Sequence, residues 1–184
     1  VYTNDPTELF NRRLYANTLI DVGSAFFRLG DEEKSEEHYR KSLGIRASTL
    51  EMFPDNTGVR RDYTVILNRL GGIELRAGNL DKAREYFLES LEYREELWEE
   101  NPHANREARD VANQHRLLAS TYHKLELEED FLFHYQEYVD ITADLAAMSP
   151  QDARAQADMK MARNAIATIY DATGDDETAL YDYW

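Results

Sequence analysis

The chain has 184 residues and no cysteine, which removes disulfides, thiolate metal sites and cysteine nucleophiles at once. Proline is almost as scarce, with Pro6, Pro54, Pro102 and Pro150 the complete set. Glycine is held to eight residues, and neither a phosphate-cradling glycine loop nor a Gly-x-Ser-x-Gly turn occurs. Cations are in short supply: 21 Lys and Arg face 36 Asp and Glu, a formal charge of −15. Nucleic-acid affinity begins with neutralising phosphates, so neither DNA nor RNA is the expected partner. An anionic membrane surface is disfavoured for the same reason. No apolar run reaches the roughly 18 residues that a membrane span needs. No charged-then-apolar leader follows Val1, and Ala179 to Trp184 read as a helix cut part-way, so a piece of a longer protein is expected.

What is present is aromatic and periodic. The 2 Trp, 12 Tyr and 7 Phe are spread along the whole length, which favours a packed fold over disorder. The length suits one domain with a real core. The four prolines are spaced by 48 residues each time, and Gly30, Gly78 and Gly174 keep the same ruler, with Glu126 in the remaining place. Other columns agree: Arg13, Arg61 and Arg109; Asp62, Asp110 and Asp158; Ser42 and Ser90; Leu43 and Leu91; Arg46 and Arg94.

Each unit reads as two helices. Tyr63, Ile66, Leu67, Leu70, Ile73 and Ala77 recur every three or four positions, as one helix face requires. Gly78-Asn79 supplies a stop and a new N-cap, and Asn101-Pro102 ends the following run. Asp5-Pro6 and Ser149-Pro150 read as N-cap and first-turn positions. First helices are expected near 7–29, 57–77, 104–125 and 152–173. Second helices are expected near 31–53, 79–100 and 127–148, with a truncated one from 175. Short connections force antiparallel neighbours, and a helix pair that cannot bury its apolar face alone must stack on the next. No segment alternates with period two, so strands are excluded.

Counted from Ala16, Thr64, Ala112 and Lys160, these columns resemble tetratricopeptide repeats. Unit one offers Leu19, Val22-Gly23, Phe26, Gly30, Ser35, Tyr39 and Ser42 at the family's places. Unit two offers Leu67, Leu70-Gly71, Gly78, Ala83, Phe87 and Ser90, and unit four Ile166-Ala167, Tyr170, Gly174, Ala179 and Tyr183. Glu74 departs from the expected aromatic, as do Glu126, Phe131 and Tyr138 from expected small residues. The period of 48 also exceeds the family's roughly 34. The resemblance implies an all-α, right-handed solenoid of antiparallel helix pairs, in units of about 6–53, 54–101, 102–149 and a truncated 150–184. It implies a cytoplasmic protein- or peptide-binding scaffold that is neither an enzyme nor a cofactor carrier. Long repeats of this kind resemble those beside kinase, caspase-like protease or nucleotide-switch domains in bacterial signalling proteins. A regulatory arm of such an enzyme is therefore an alternative, and self-assembly through exposed terminal units is another.

The residues themselves argue little catalytic chemistry. His38, His115, His123 and His134 match no metal-ligand spacing and read as surface or half-buried side chains. The acidic runs Asp31-Glu32-Glu33, Glu95-Glu96 with Glu99-Glu100, and Glu128-Glu129-Asp130 read as solvated helix faces. In the family, five places of each first helix face the ligand. Here they are Asn17, Ile20, Ser24, Phe27 and Arg28; Val65, Asn68, Gly72, Leu75 and Arg76; Asn113, Arg116, Ser120, His123 and Lys124; and Met161, Asn164, Thr168, Asp171 and Ala172. Among these, the resemblance makes Asn17, Ile20, Phe27, Arg28, Asn68, Leu75, Arg76, Asn113, Arg116, His123, Lys124 and Asn164 the candidate peptide-binding groove. Arg28, Arg76 and Lys124 form a cationic ladder suited to an acidic, partly apolar segment. The alternative is that they pair with glutamates on the neighbouring unit.

Overall fold

The computed structural model describes residues 6–173, with side chains as far as Asn164. Among these residues every regular element is an α-helix: α1 (Pro6–Arg28), α2 (Glu32–Met52), α3 (Thr57–Ala77), α4 (Leu80–Glu100), α5 (Asn105–Lys124), α6 (Glu128–Met148) and α7 (Ala153–Thr173). Every end lies within one residue of its expected place. The truncated helix from 175 and Asp5 fall outside the described residues.

The stops are set by backbone chemistry. Gly78 takes φ +82°, with Gly78 N–H donating to Leu75 O and Asn79 N–H to Glu74 O. Gly30 (φ +80°) and Glu126 (φ +60°) close α1 and α5 with the same pair of bonds. This is the arrangement that satisfies a helix's last free carbonyls. The starts are capped by side chains at Asp31, Asn56 and Asp152, which accept from Lys34 N–H at 3.1 Å, Val59 N–H at 3.0 Å and Arg154 N–H at 2.9 Å. One expected cap keeps its place without its side-chain bond, and one is corrected. Asn79 precedes α4 but its amide turns back to donate to Glu74 Oε2 at 2.7 Å. Ser149 terminates α6, and the cap of α7 passes to Asp152 because the turn through Pro150 consumes three more residues.

Each helix packs on the one before it and the one after, so the array is nearly one-dimensional and its contacts are short in sequence. Two close approaches hold the pairs. A methyl group on Gly23 would stand 2.6 Å from Tyr39 Cε1, and one on Gly71 2.6 Å from Phe87 Cε1. The small residue thus seats the ring of the partner helix. Ser42 Oγ fastens α2 to α1 by donating to Ala16 O at 3.0 Å. Between units, Ile20, Tyr39, Ile66, Leu70 and Ile73 form one apolar cluster. A larger one runs from Ala83 and Phe87 through Val111, Leu118 and Tyr135 to Leu145 and Ala162. Ile66, Leu67 and Leu70 are fully buried, each stabilising the fold by about 1.5–3 kcal/mol.

Candidate functional site: the first-helix face and the third junction

The units are joined by charged columns that the 48-residue period puts in register. At the first junction Asp62 on α3 receives two guanidiniums, Arg13 Nε at 2.7 Å and Arg46 Nη1 at 3.3 Å. Arg46 also donates through Nη2 to Asn17 Oδ1 at 2.6 Å. Burial pulls the Arg46 pKa down against the support of Asp62, while the hydrogen bond to Asp62 raises that of Arg13. The second junction repeats the scheme, with Arg94 Nη1 3.2 Å from Asp110 and Arg61 bonded to the buried Glu107. At both, the long side chain from the second helix fills the corner between units, and the cavity left is only about 10 Å³.

The third junction breaks the column. Thr142 occupies the place of Arg46 and Arg94, and Tyr138 that of Ser42 and Ser90. Thr142 Oγ1 satisfies itself on Tyr138 O and Val139 O of its own helix. A cleft of about 690 Å³ opens between α5, α6 and α7, within the size range of ligand sites. Its wall carries Phe131, Tyr135 and Tyr138, and its mouth Asn113, Arg116, Ser120, His123 and Met161. Burial raises both tyrosine pKa values, that of Tyr135 to about 12. Asp158 lies in the cleft with Arg109 Nε 3.8 Å and Arg154 Nε 4.0 Å away, and Arg109 is bonded instead to Asp152.

The expected groove residues divide into three groups. Arg28, Arg116, His123, Lys124, Asn113 and Asn17 are exposed on α1 and α5, and Asn164 on α7. Phe27, Asn68 and Leu75 are half-buried; Asn68 Oδ1 is buried, and Leu75 packs on the larger cluster. Ile20 requires a correction: α3 covers it with Ile66, Leu70 and Ile73, so it belongs to the core. Thr168, Asp171 and Ala172 lie beyond the described side chains. The ladder is altered in its middle rung. Arg76 lies over the Phe27 ring at 4.4 Å and pairs with Glu32 at 3.0 Å, both on the preceding unit. Arg28 and Lys124 make no ion pair among the described residues. Asn17 and Asn113 already accept from Arg46 and Arg116, the latter at 2.9 Å.

Two interactions and the cleft escaped the sequence reading. Glu74 is buried in place of an aromatic because Arg40 of the preceding unit reaches it at 3.2 Å. His115 and His134, expected at the surface or half-buried, are buried and paired. The arginine and aspartate columns were visible as repeats, and the break at Thr142, which the reading passed over, is the signal that points to the cleft. Among the described residues no group of three or more His, Asp or Glu is placed to hold a metal ion, and no helix is long and apolar enough to cross a membrane.

The exposed first-helix face and the glycine–aromatic crossings find their parallel in known families. Residues 16–49 match one tetratricopeptide-repeat model, and residues 65–101 match another. The chain carries tetratricopeptide repeats. Such repeats mediate protein–protein interaction, and the array has the helical-solenoid architecture of an interaction module. No curated protein matches the chain.

Proposed function

We propose that the face formed by α1, α3, α5 and α7 binds an extended segment of a partner protein, with its deepest contact in the third-junction cleft. The supporting observation is that Asn113, Arg116, Ser120, His123 and Met161, all at ligand-facing places of the repeat, line that cleft. Arg28 and Lys124 would hold acidic side chains of the segment, and Phe27 and Leu75 would contribute apolar contact. A free-standing scaffold and the regulatory arm of a larger signalling enzyme would use this face alike. The test is selection of peptides from a random display library on the immobilised chain. Selected peptides should lose about tenfold or more in affinity for a variant carrying Arg28→Glu, Arg116→Glu and Lys124→Glu. They should bind unchanged to one with three substitutions on the exposed sides of α2 and α4. Peptides indifferent to the first variant would refute the reading.

Self-association is a second reading, favoured by Phe10 and Leu14, which lie one turn apart on α1 and are 64% and 53% exposed. Sedimentation of Phe10→Glu and Leu14→Glu variants against the parent chain measures it, and a parent that is monomeric at every concentration removes it.

A further inference from the structure

We infer that the third-junction cleft is a receptor for one arginine side chain of the bound segment, held where Arg46 and Arg94 lie at the first two junctions. The inference rests on the groove reading and assigns the chemistry of its deepest contact. The protein supplies its own template. At the first junction the guanidinium of Arg46 is held by Asn17 Oδ1 at 2.6 Å, by Ser42 Oγ at 3.3 Å and by the carboxylate of Asp62 at 3.3 Å. The period carries Asn17 and Asp62 to Asn113 and Asp158, and both line the cleft. The cage therefore recurs with its amide and its carboxylate, the serine giving way to Tyr138, while the residue that would enter it from α6 is Thr142.

Asp158 is the under-used group. Asp62 has its two guanidinium nitrogens at 2.7 and 3.3 Å, whereas those nearest Asp158 are at 3.8 and 4.0 Å, beyond hydrogen-bond reach. Its carboxylate accepts no hydrogen bond among the described residues. The other charges around the cleft leave room for a cation. Arg109 is neutralised by Asp152, Asp110 by Arg94, and the Arg154 side chain is 76% exposed and reaches outward. Arg116 spends one donor on Asn113 Oδ1 in a bond exposed to water, which an incoming guanidinium can replace. Tyr138 stands where serine is found at the first two junctions. With Tyr135, its ring centroid 6.0 Å away at 86°, it gives a planar cation an aromatic wall. Arginine suits this site better than lysine because two separated acceptors need a fork of donors. The volume of about 690 Å³ admits the side chain together with the backbone that carries it. The formal charge of −15 draws a cationic group toward the protein from a distance.

The test titrates N-acetyl-arginine methylamide into the isotope-labelled chain and follows backbone amide shifts, with the citrulline and glutamate analogues as controls. Shifts centred on Asn113, Thr142 and Asp158, saturating in the millimolar range, are expected for arginine. The controls should bind about tenfold more weakly or not at all. Thr142→Arg, which rebuilds the column within the chain, should abolish the response and raise the melting temperature. Asp158→Asn should abolish the response alone. If Thr142→Arg does not fold, as judged by its helical circular dichroism, the parent chain and Asp158→Asn decide. Equal or larger shifts with glutamate would overturn the proposal in favour of an anion site, and a response surviving in Asp158→Asn would overturn it too. No localised response in the parent chain has the same force. Library-selected peptides that need Arg28, Arg116 and Lys124 but ignore Thr142→Arg would sink the arginine assignment and leave the groove standing.

Discussion

His115 on α5 and His134 on α6 meet Nδ1 to Nδ1 at 2.9 Å, a contact possible only while one ring donates and the other accepts. His134 stacks on Tyr122, and the groups that face the pair are Glu95, 3.8 Å from His115 Nε2, and Asp130 near His134. Burial holds both rings neutral, with His115 pushed down to about 4, the neighbouring His134 adding to the effect. The consequence is an acid-sensitive joint within unit three. Above the ordinary histidine pKa both folded and unfolded chains are neutral and the pair is silent. As pH falls below 6.5 the unfolded chain takes up protons that the folded one refuses until about 4, so stability drops across that window. His115 alone should cost about 1–2 kcal/mol at pH 5, partial solvent access allowed for. Thermal melts of the parent and of His115→Gln between pH 7.5 and 5 should converge as pH falls; parallel curves would dismiss the pair as the cause.

Adjacent glycines in α3 should respond in opposite directions. A methyl on Gly71 meets Phe87 at 2.6, 2.9 and 3.0 Å, while one on Gly72 meets nothing within 4 Å. Gly71→Ala forces the ring out of a fully packed site and should destabilise by about 1–3 kcal/mol. Gly72→Ala removes a helix-weakening residue from open space and should stabilise by about 0.5–1 kcal/mol. Denaturant unfolding of the two variants measures both, and equal effects would show that the helix crossing tolerates a shift.

The fold was legible because its punctuation is sparse and regular: prolines and glycines that mark helix ends recur on one ruler, and the apolar positions between them hold a helical period. Local cap chemistry was harder to read than cap position. Asn79 was drawn to a buried glutamate, and Ser149 ends α6 as Phe53 ends α2 and Asn101 ends α4, the next cap lying two residues after the proline at Asp152 as at Asn56. The groove was legible only as positions. A place rule cannot see that Ile20 is covered by the next unit, or that Glu32 neutralises Arg76, since both depend on how closely units approach. The cleft was half-written: Arg46 and Arg94 stood in a column that stopped at Thr142, but its volume follows from packing around Tyr138 and α7.

Arg94 offers a direct measure of what the columns contribute. It is 7% exposed, takes Ser90 Oγ at 3.2 Å and Asp110 at 3.2 Å, and joins the second unit to the third. Arg94→Ala removes the packing of the stem and leaves Asp110 without its cation, which should destabilise by about 2–4 kcal/mol. Arg28→Ala, on the exposed end of α1, should change stability by less than about 0.5 kcal/mol. Parallel melts separate the structural arginines from those offered by the groove, and comparable losses would contradict the division.

Glu126 is the only non-glycine with positive φ among the described residues, at +60°, in the place that Gly30 and Gly78 fill. The bonds that close α5 are the same, Glu126 N–H to His123 O at 3.1 Å and Leu127 N–H to Tyr122 O at 3.1 Å, so the turn itself demands this conformation. A side chain with a Cβ pays about 1 kcal/mol to adopt it, and glycine does not. Glycine also leaves a more mobile unfolded chain, which returns part of the gain. Glu126→Gly should therefore stabilise by a net of about 0.5–1 kcal/mol, raising the melting temperature by about 1–4 °C in a chain of this size. The same substitution removes one negative charge close to Lys124 at the groove's edge. Melts at low and high salt distinguish the two sources, because relief of backbone strain is indifferent to screening and a charge effect is not. A gain that vanishes at high salt would assign it to the charge, and no gain at either would show that the turn holds Glu126 without strain.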